Sequence, residues 1–104
     1  MRVPLYDIAH ARAGDKGDVS NISVIVYDPA HWQAVCDQVT EEVVLHLFAS
    51  MGARSVRRYA LPRLHALNFV IDGALAGGVN ASLAQDRHGK GLSFHLLGGI
   101  TVDV

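Results

Sequence analysis

The sequence predicts an α+β fold: a two-layer sandwich with a mostly antiparallel sheet and helices on one face. Three observations lead there. Strand-like and helix-like segments interleave without the regular alternation of a doubly wound sheet. The length of 104 residues, half of them apolar, suits one domain over residues 1–104 with a single core. No segment is low-complexity and no period of ~20–50 residues repeats, which excludes solenoids.

Each element has its own signal. Residues 5–13 alternate loosely, with Tyr6, Ile8, His10 and Arg12 on one face, and predict a strand. Residues 14–18 are turn chemistry, and the β-branched run 21–27 predicts the second strand of a hairpin. Asp28-Pro29 opens a helix, because the aspartate caps free N–H groups and proline at the first helical position loses nothing. Trp32, Val35, Cys36, Val39, Val43 and Leu47 then keep helical spacing as a seam against the sheet. Thr40-Glu41-Glu42 has the makings of a restart, so residues 29–51 form one bent helix or two, ending at Gly52. Residues 55–61 read as a strand stopped by Pro62, and residues 66–71 as an apolar run equally compatible with strand or helix. The glycine-rich 73–78 reads as a connection, 79–84 as a strand, 86–90 as a turn and 92–97 as a short helix broken by Gly98-Gly99. Residues 100–104 close the chain as an alternating strand.

Composition narrows the function classes. Nine basic against ten acidic residues give a formal charge of −1, which offers no attraction to a phosphate backbone or an anionic leaflet. No apolar run approaches the ~20 residues of a membrane span. One cysteine makes no intrachain disulfide, and the N-terminal region meets Asp7 where a signal peptide needs apolar residues. A reducing cytoplasm is the expected location. So short a chain leaves little room for a deep private site, and an open sheet must cover its edges. A homo-oligomer, with a dimer favoured, is therefore expected.

The densest polar constellation is Ala11-Arg12-Ala13-Gly14-Asp15-Lys16-Gly17-Asp18-Val19-Ser20-Asn21-Ile22. Three readings fit it. In a salt-bridged hairpin loop, Asp15 and Asp18 hold Arg12 and Lys16. In an anion site, Gly14 and Gly17 adopt positive φ and turn N–H groups into a concavity that Arg12 and Lys16 charge. In a hard-cation site, Asp15 and Asp18 act with the Asn21 carbonyl. Asn68, inside an apolar run, must find hydrogen-bond partners, either as a core amide or as a second site residue facing the same loop.

That motif resembles the C-terminal domain of the acyclic terpene utilisation (AtuA-like) family. The resemblance continues through Tyr59-Ala60-Leu61-Pro62, Ala66-Leu67-Asn68-Phe69-Val70, Gly73-Ala74-Leu75 with Gly77-Gly78, and Asp86 with Gly89-Lys90, and so covers nearly the whole chain. It implies a ferredoxin-like sandwich, consistent with the two-layer reading above. In that family the portion is usually fused behind a larger domain, and the family is associated with bacterial breakdown of branched terpenoid alcohols and acids through coenzyme A thioesters. A larger AtuA-like protein partner and an acyl-CoA or carboxylate ligand are the expectations that follow.

Other chemistry lacks support in the sequence. Gly77-Gly78 has neither the spacing nor the preceding strand of a dinucleotide fold. The six histidines, His10, His31, His46, His65, His88 and His95, include no i,i+4 pair, so no metal is expected. Cys36 reads as a small buried hydrophobe, and Ser20 and Ser23 lie in no nucleophile elbow. No cofactor is implied and no catalytic residue stands out. An RNA-binding sheet lacks its stacking aromatics. Two classes remain. The favoured one is an accessory module with Arg12, Asp15, Lys16, Asp18, Asn21 and Asn68 at its binding site. The alternative is an enzyme using Arg12 and Lys16 to hold a carboxylate or CoA phosphate while Asp15 or Asp18 moves a proton.

Overall fold

The structure, a computed structural model, describes the backbone of residues 1–16, 19–73 and 90–104, and the side chains of all of these except 15, 16, 90 and 91. Residues 5–13 do not form one strand. Strand β1 (Arg2–Pro4) runs into a single helical turn, α1 (Leu5–Ile8), because Leu5 and Ile8, three residues apart, are both drawn into the core. The Ala9 N–H closes that turn on the Leu5 carbonyl, and β2 (Ala9–Lys16) begins there. It pairs with β3 (Val19–Val26) in the expected hairpin, but the ladder reaches Lys16 opposite Val19. Residues 14–16 thus belong to the strand rather than to a turn, and residues 17 and 18 lie outside the described residues.

The segment after β3 is two helices. Asp28 Oδ1 accepts from the Ala30 N–H at 2.9 Å and starts a 3-10 turn, Pro29–His31, that feeds α2 (Trp32–Gln38). The chain leaves helical geometry at Val39, with ψ 81°, and α3 (Glu41–Phe48) restarts with Thr40 Oγ1 accepting from the Val43 N–H at 3.2 Å. This break corrects the predicted seam. Val35 and Val39 are buried as expected, but the restart resets the helical phase, so Val44 and Phe48 face the core while Val43 is exposed and Leu47 half-buried. Trp32 and Cys36 are half-buried at the seam's margin.

A 3-10 turn, Ala49–Met51, ends at Gly52 with φ 102°, the left-handed conformation that suits a glycine C-cap. Strands β4 (Ala53–Leu61) and β5 (Ala66–Gly73) follow, joined by the turn Pro62–Leu64, and the ambiguous run 66–71 is therefore strand. Helix α4 (Lys90–Gly99) runs through both of its late glycines rather than breaking before them, and β6 (Thr101–Asp103) closes the chain. The predicted strand at 79–84 and most of the segments at 73–78 and 86–90 lie outside the described residues.

The main sheet has the order β2-β3-β5-β4 with every neighbouring pair antiparallel, while β6 pairs with β1 in a separate two-stranded sheet. Gln38 fixes that small sheet to α2 by bonding both the N–H and the carbonyl of Asp103 at 2.8 Å. One face of the main sheet is the core: Ile22, Val24, Val26, Val56, Leu67, Phe69 and Ile71 pack beneath Leu5, Val35, Val44, Phe48, Leu92 and Leu96. The sequence expectation of an α+β sandwich with helices on one face therefore holds. Among the described residues no helix is long and apolar enough to cross a membrane.

Candidate functional site on the open sheet face

The strand period puts alternate residues on the face away from the helices, and register fixes which of them are neighbours. Arg12 lies opposite Ser23, Ser23 opposite Asn68, and Asn68 opposite Tyr59, so one row crosses all four strands. On one side of it runs the row Gly14, Asn21, Val70 and Arg57; on the other, His10, Ile25, Ala66 and Leu61. The face is thus polar through its middle and apolar towards Leu61 and Leu64, both exposed.

Ser23 Oγ donates to Asn68 Oδ1 at 3.1 Å in a half-buried setting. That bond engages the amide oxygen and leaves the amide NH2 group as a donor on the open face. Arg12 is exposed and, among the described residues, makes no hydrogen bond or ion pair. Two nearby arginines are committed. Arg54 pairs with Asp72 at 3.2 Å, and Arg58, on the core-facing side of β4, donates to the carbonyls of Cys36 at 2.6 Å and Val39 at 2.9 Å at the end of α2. The uncommitted donors of the face are therefore Arg12, the Asn68 amide, the exposed Asn21 and Arg57, and the Tyr59 hydroxyl, which together suit an acceptor-rich ligand such as a carboxylate or phosphate.

Of the residues singled out by sequence, Arg12, Asn21 and Asn68 come together on this face. Asp15 and Lys16 end β2, in register with Ser20 and Val19, and Asp18 lies outside the described residues. Gly14 is extended strand; the glycines with positive φ are Gly52 and Gly73 among the described residues, so Gly14 does not build the expected concavity of N–H groups. Sequence reasoning passed over Ser23, Arg57 and Tyr59. Ser23 was legible in principle, since the alternation of β3 puts it on the face of Asn21, but Arg57 and Tyr59 enter only through the register of β4.

Three of the histidines are engaged by aromatic neighbours. His10 stacks on Tyr27 with centroids 5.2 Å apart, His65 meets Trp32 edge-on at 5.9 Å, and His95 lies 5.3 Å from Phe48. Among the described residues no three His, Cys, Asp or Glu side chains converge as a metal site would need. Burial raises the Cys36 thiol above its ordinary value, with Arg58 pulling the other way and Asp37 adding to the rise. A raised thiol is a poor nucleophile, as the sequence reading expects.

The family model of the AtuA ferredoxin-like domain matches residues 3–101. The chain belongs to that family. No curated protein and no solved structure matches it. Within this AtuA ferredoxin-like domain, the motif from Ala11 to Ile22 contributes most of β2 and the start of β3, and the segment from Ala66 to Val70 forms most of β5. The two segments lie side by side on one sheet, with β3 paired to both β2 and β5.

Proposed function

We propose that this AtuA-related module is an accessory binding domain whose open sheet face recognises the anionic group of a carboxylate or acyl-CoA. In this reading it works in the reducing cytoplasm beside a larger AtuA-like protein that acts on branched acyl-CoA thioesters. The observation that carries it is Arg12, exposed and unpaired among the described residues, on one row with the Ser23–Asn68 pair. An uncommitted guanidinium beside oriented neutral donors is an anion site that has no internal competitor among the described groups. Ile25 and the exposed Leu61 on the next row suit the hydrocarbon part of the same ligand.

The test is calorimetric titration of a short branched acyl-CoA into the wild type, Arg12→Ala and Asn68→Ala, with thermal melts of all three. The expected result is loss of about 10–100-fold in affinity for Arg12→Ala, the effect of one charge-assisted bond worth ~1.5–3 kcal/mol, at unchanged melting temperature. Equal affinity in Arg12→Ala would remove the site. Turnover of the thioester would replace the accessory role with the enzyme reading, in which Asp15 or Asp18 carries the proton.

A further inference from the structure

Gly14 is unexplained by the chain that contains it. Its backbone is ordinary strand, and a Cβ built on it would meet nothing within 4 Å. Among the described residues neither conformation nor packing requires a glycine there, although glycine inside a strand weakens it relative to a residue with a side chain. In strands that neither bulge nor bend, such a position is often where a ligand or another backbone approaches closely.

The hydrogen-bond parity of the sheet shows what can approach. The Tyr27 N–H donates to the Ile8 carbonyl at 3.0 Å, one rung beyond β2, so by alternation His10, Arg12, Gly14 and Lys16 bond inward to β3. Ala11, Ala13 and Asp15 then direct their backbone N–H and carbonyl groups to the outer edge, where the described residues supply no partner for β2. The opposite edge is treated differently. The outward N–H of Arg58 on β4 is taken by Glu41 Oε2 at 2.8 Å. On β2 there is no proline, no bulge in the pairing and little side-chain bulk at Ala11, Ala13 and Gly14 to guard the edge.

The geometry points to a second copy of this chain as the occupant, joined through antiparallel β2–β2 pairing about a twofold axis at Ala13. Several self-pairings keep the parity. An axis at Gly14 sets Arg12 opposite Lys16 of the second copy, and an axis at Asp15 sets two aspartates opposite each other; like charges disfavour both. An axis at Arg12 sets two arginines directly opposite each other, which repels. An axis at Ala11 needs the Ala9 N–H, which is already given to the Leu5 carbonyl. An axis at Ala13 pairs Ala13 with itself and lays each Arg12 across Gly14 of the second copy, where the missing side chain leaves room. The two open faces become one continuous surface, with the two Arg12 residues on a diagonal of about 7–8 Å between backbones. Each copy then contributes an arginine to a shared anion site. This last step rests on the anion reading above; the edge pairing does not.

Sedimentation velocity over a wide concentration range, on wild type and Gly14→Val, tests the pairing. Valine fits the empty space and suits a strand, so the lone chain keeps or gains thermal stability, while the side chain stands where the second Arg12 must lie. Expected are a concentration-dependent dimer of the 11.2 kDa wild-type chain and a dimer dissociation constant raised at least about tenfold in Gly14→Val, with an undiminished melting temperature when both are compared at concentrations where they are monomeric. A wild type that stays monomeric, or a Gly14→Val protein that dimerises as well as wild type, overturns the pairing. A Gly14→Val monomer less stable than the wild-type monomer would mean the glycine serves the single chain, and that too overturns it. If the wild type is monomeric yet binds the acyl-CoA through Arg12, the pairing fails alone. If Gly14→Val dissociates but Arg12→Ala binds normally, only the anion reading fails.

Discussion

Arg58 shows how a single residue ties elements together. Its guanidinium satisfies two carbonyls left open at the end of α2, its positive charge sits at the negative end of that helix, and its backbone N–H is held by Glu41 of α3. Arg58→Ala is expected to cost about 1–3 kcal/mol in urea denaturation, and Arg58→Lys to recover only part, since one ammonium does not match the planar fork. None of this was legible in the sequence, because the acceptor carbonyls lie 22 and 19 residues away. Asn68 was legible, since an amide in an apolar run needs a partner; its partner, Ser23, was not, because the pairing depends on register. For Cys36, desolvation raises the thiol, so the folded state disfavours the thiolate. Iodoacetamide labelling at pH 8 is expected to be slower in the native protein than in urea. The same sign makes stability fall as pH climbs past the ordinary value of 9.0, because the unfolded chain releases that proton first.

At the scale of elements, the α2–α3 break separates what periodicity reveals from what it conceals. A continuous helix through Val39 would place Val43 and Leu47 inward, and the spacing predicted that. The Thr40 cap was also visible in the sequence, and it restarts the helix in a new phase that buries Val44 and Phe48 instead. The two phases differ experimentally. Val44→Ala is expected to lower the denaturation free energy by about 1–3 kcal/mol and Phe48→Ala by about 3–5, whereas Val43→Ala, 39% exposed, should stay within about 0.5. The start of the chain follows the same logic: residues 5–8 alternate acceptably as strand, but burying both Leu5 and Ile8 selects a helical turn. Gly73 is a different case. It carries φ 156° and a Cβ there would run into the Gly52 carbonyl, so Gly73→Ala should destabilise the β4–β5 pair markedly in a thermal melt.

At the scale of the molecule, one layer of helices on a four-stranded sheet leaves a second sheet face without helices among the described residues. The sequence showed this architecture through its mixture of periods, and the family model over residues 3–101 agrees with it. It did not show where the candidate binding residues meet. The charged motif reads as a loop, yet Arg12 and Asn21 are strand residues, and they share the open face with Asn68 some 50 residues on only because β3 lies between β2 and β5. The most direct test of that face is an amide chemical-shift map during titration with a short branched acyl-CoA. The account predicts shifts concentrated at Arg12, Asn21, Ser23, Asn68 and Tyr59, with little change at Val43, Leu47 and Gly99 in the cleft between α3 and α4. Shifts confined to that cleft, or none at all at saturating ligand, would contradict it.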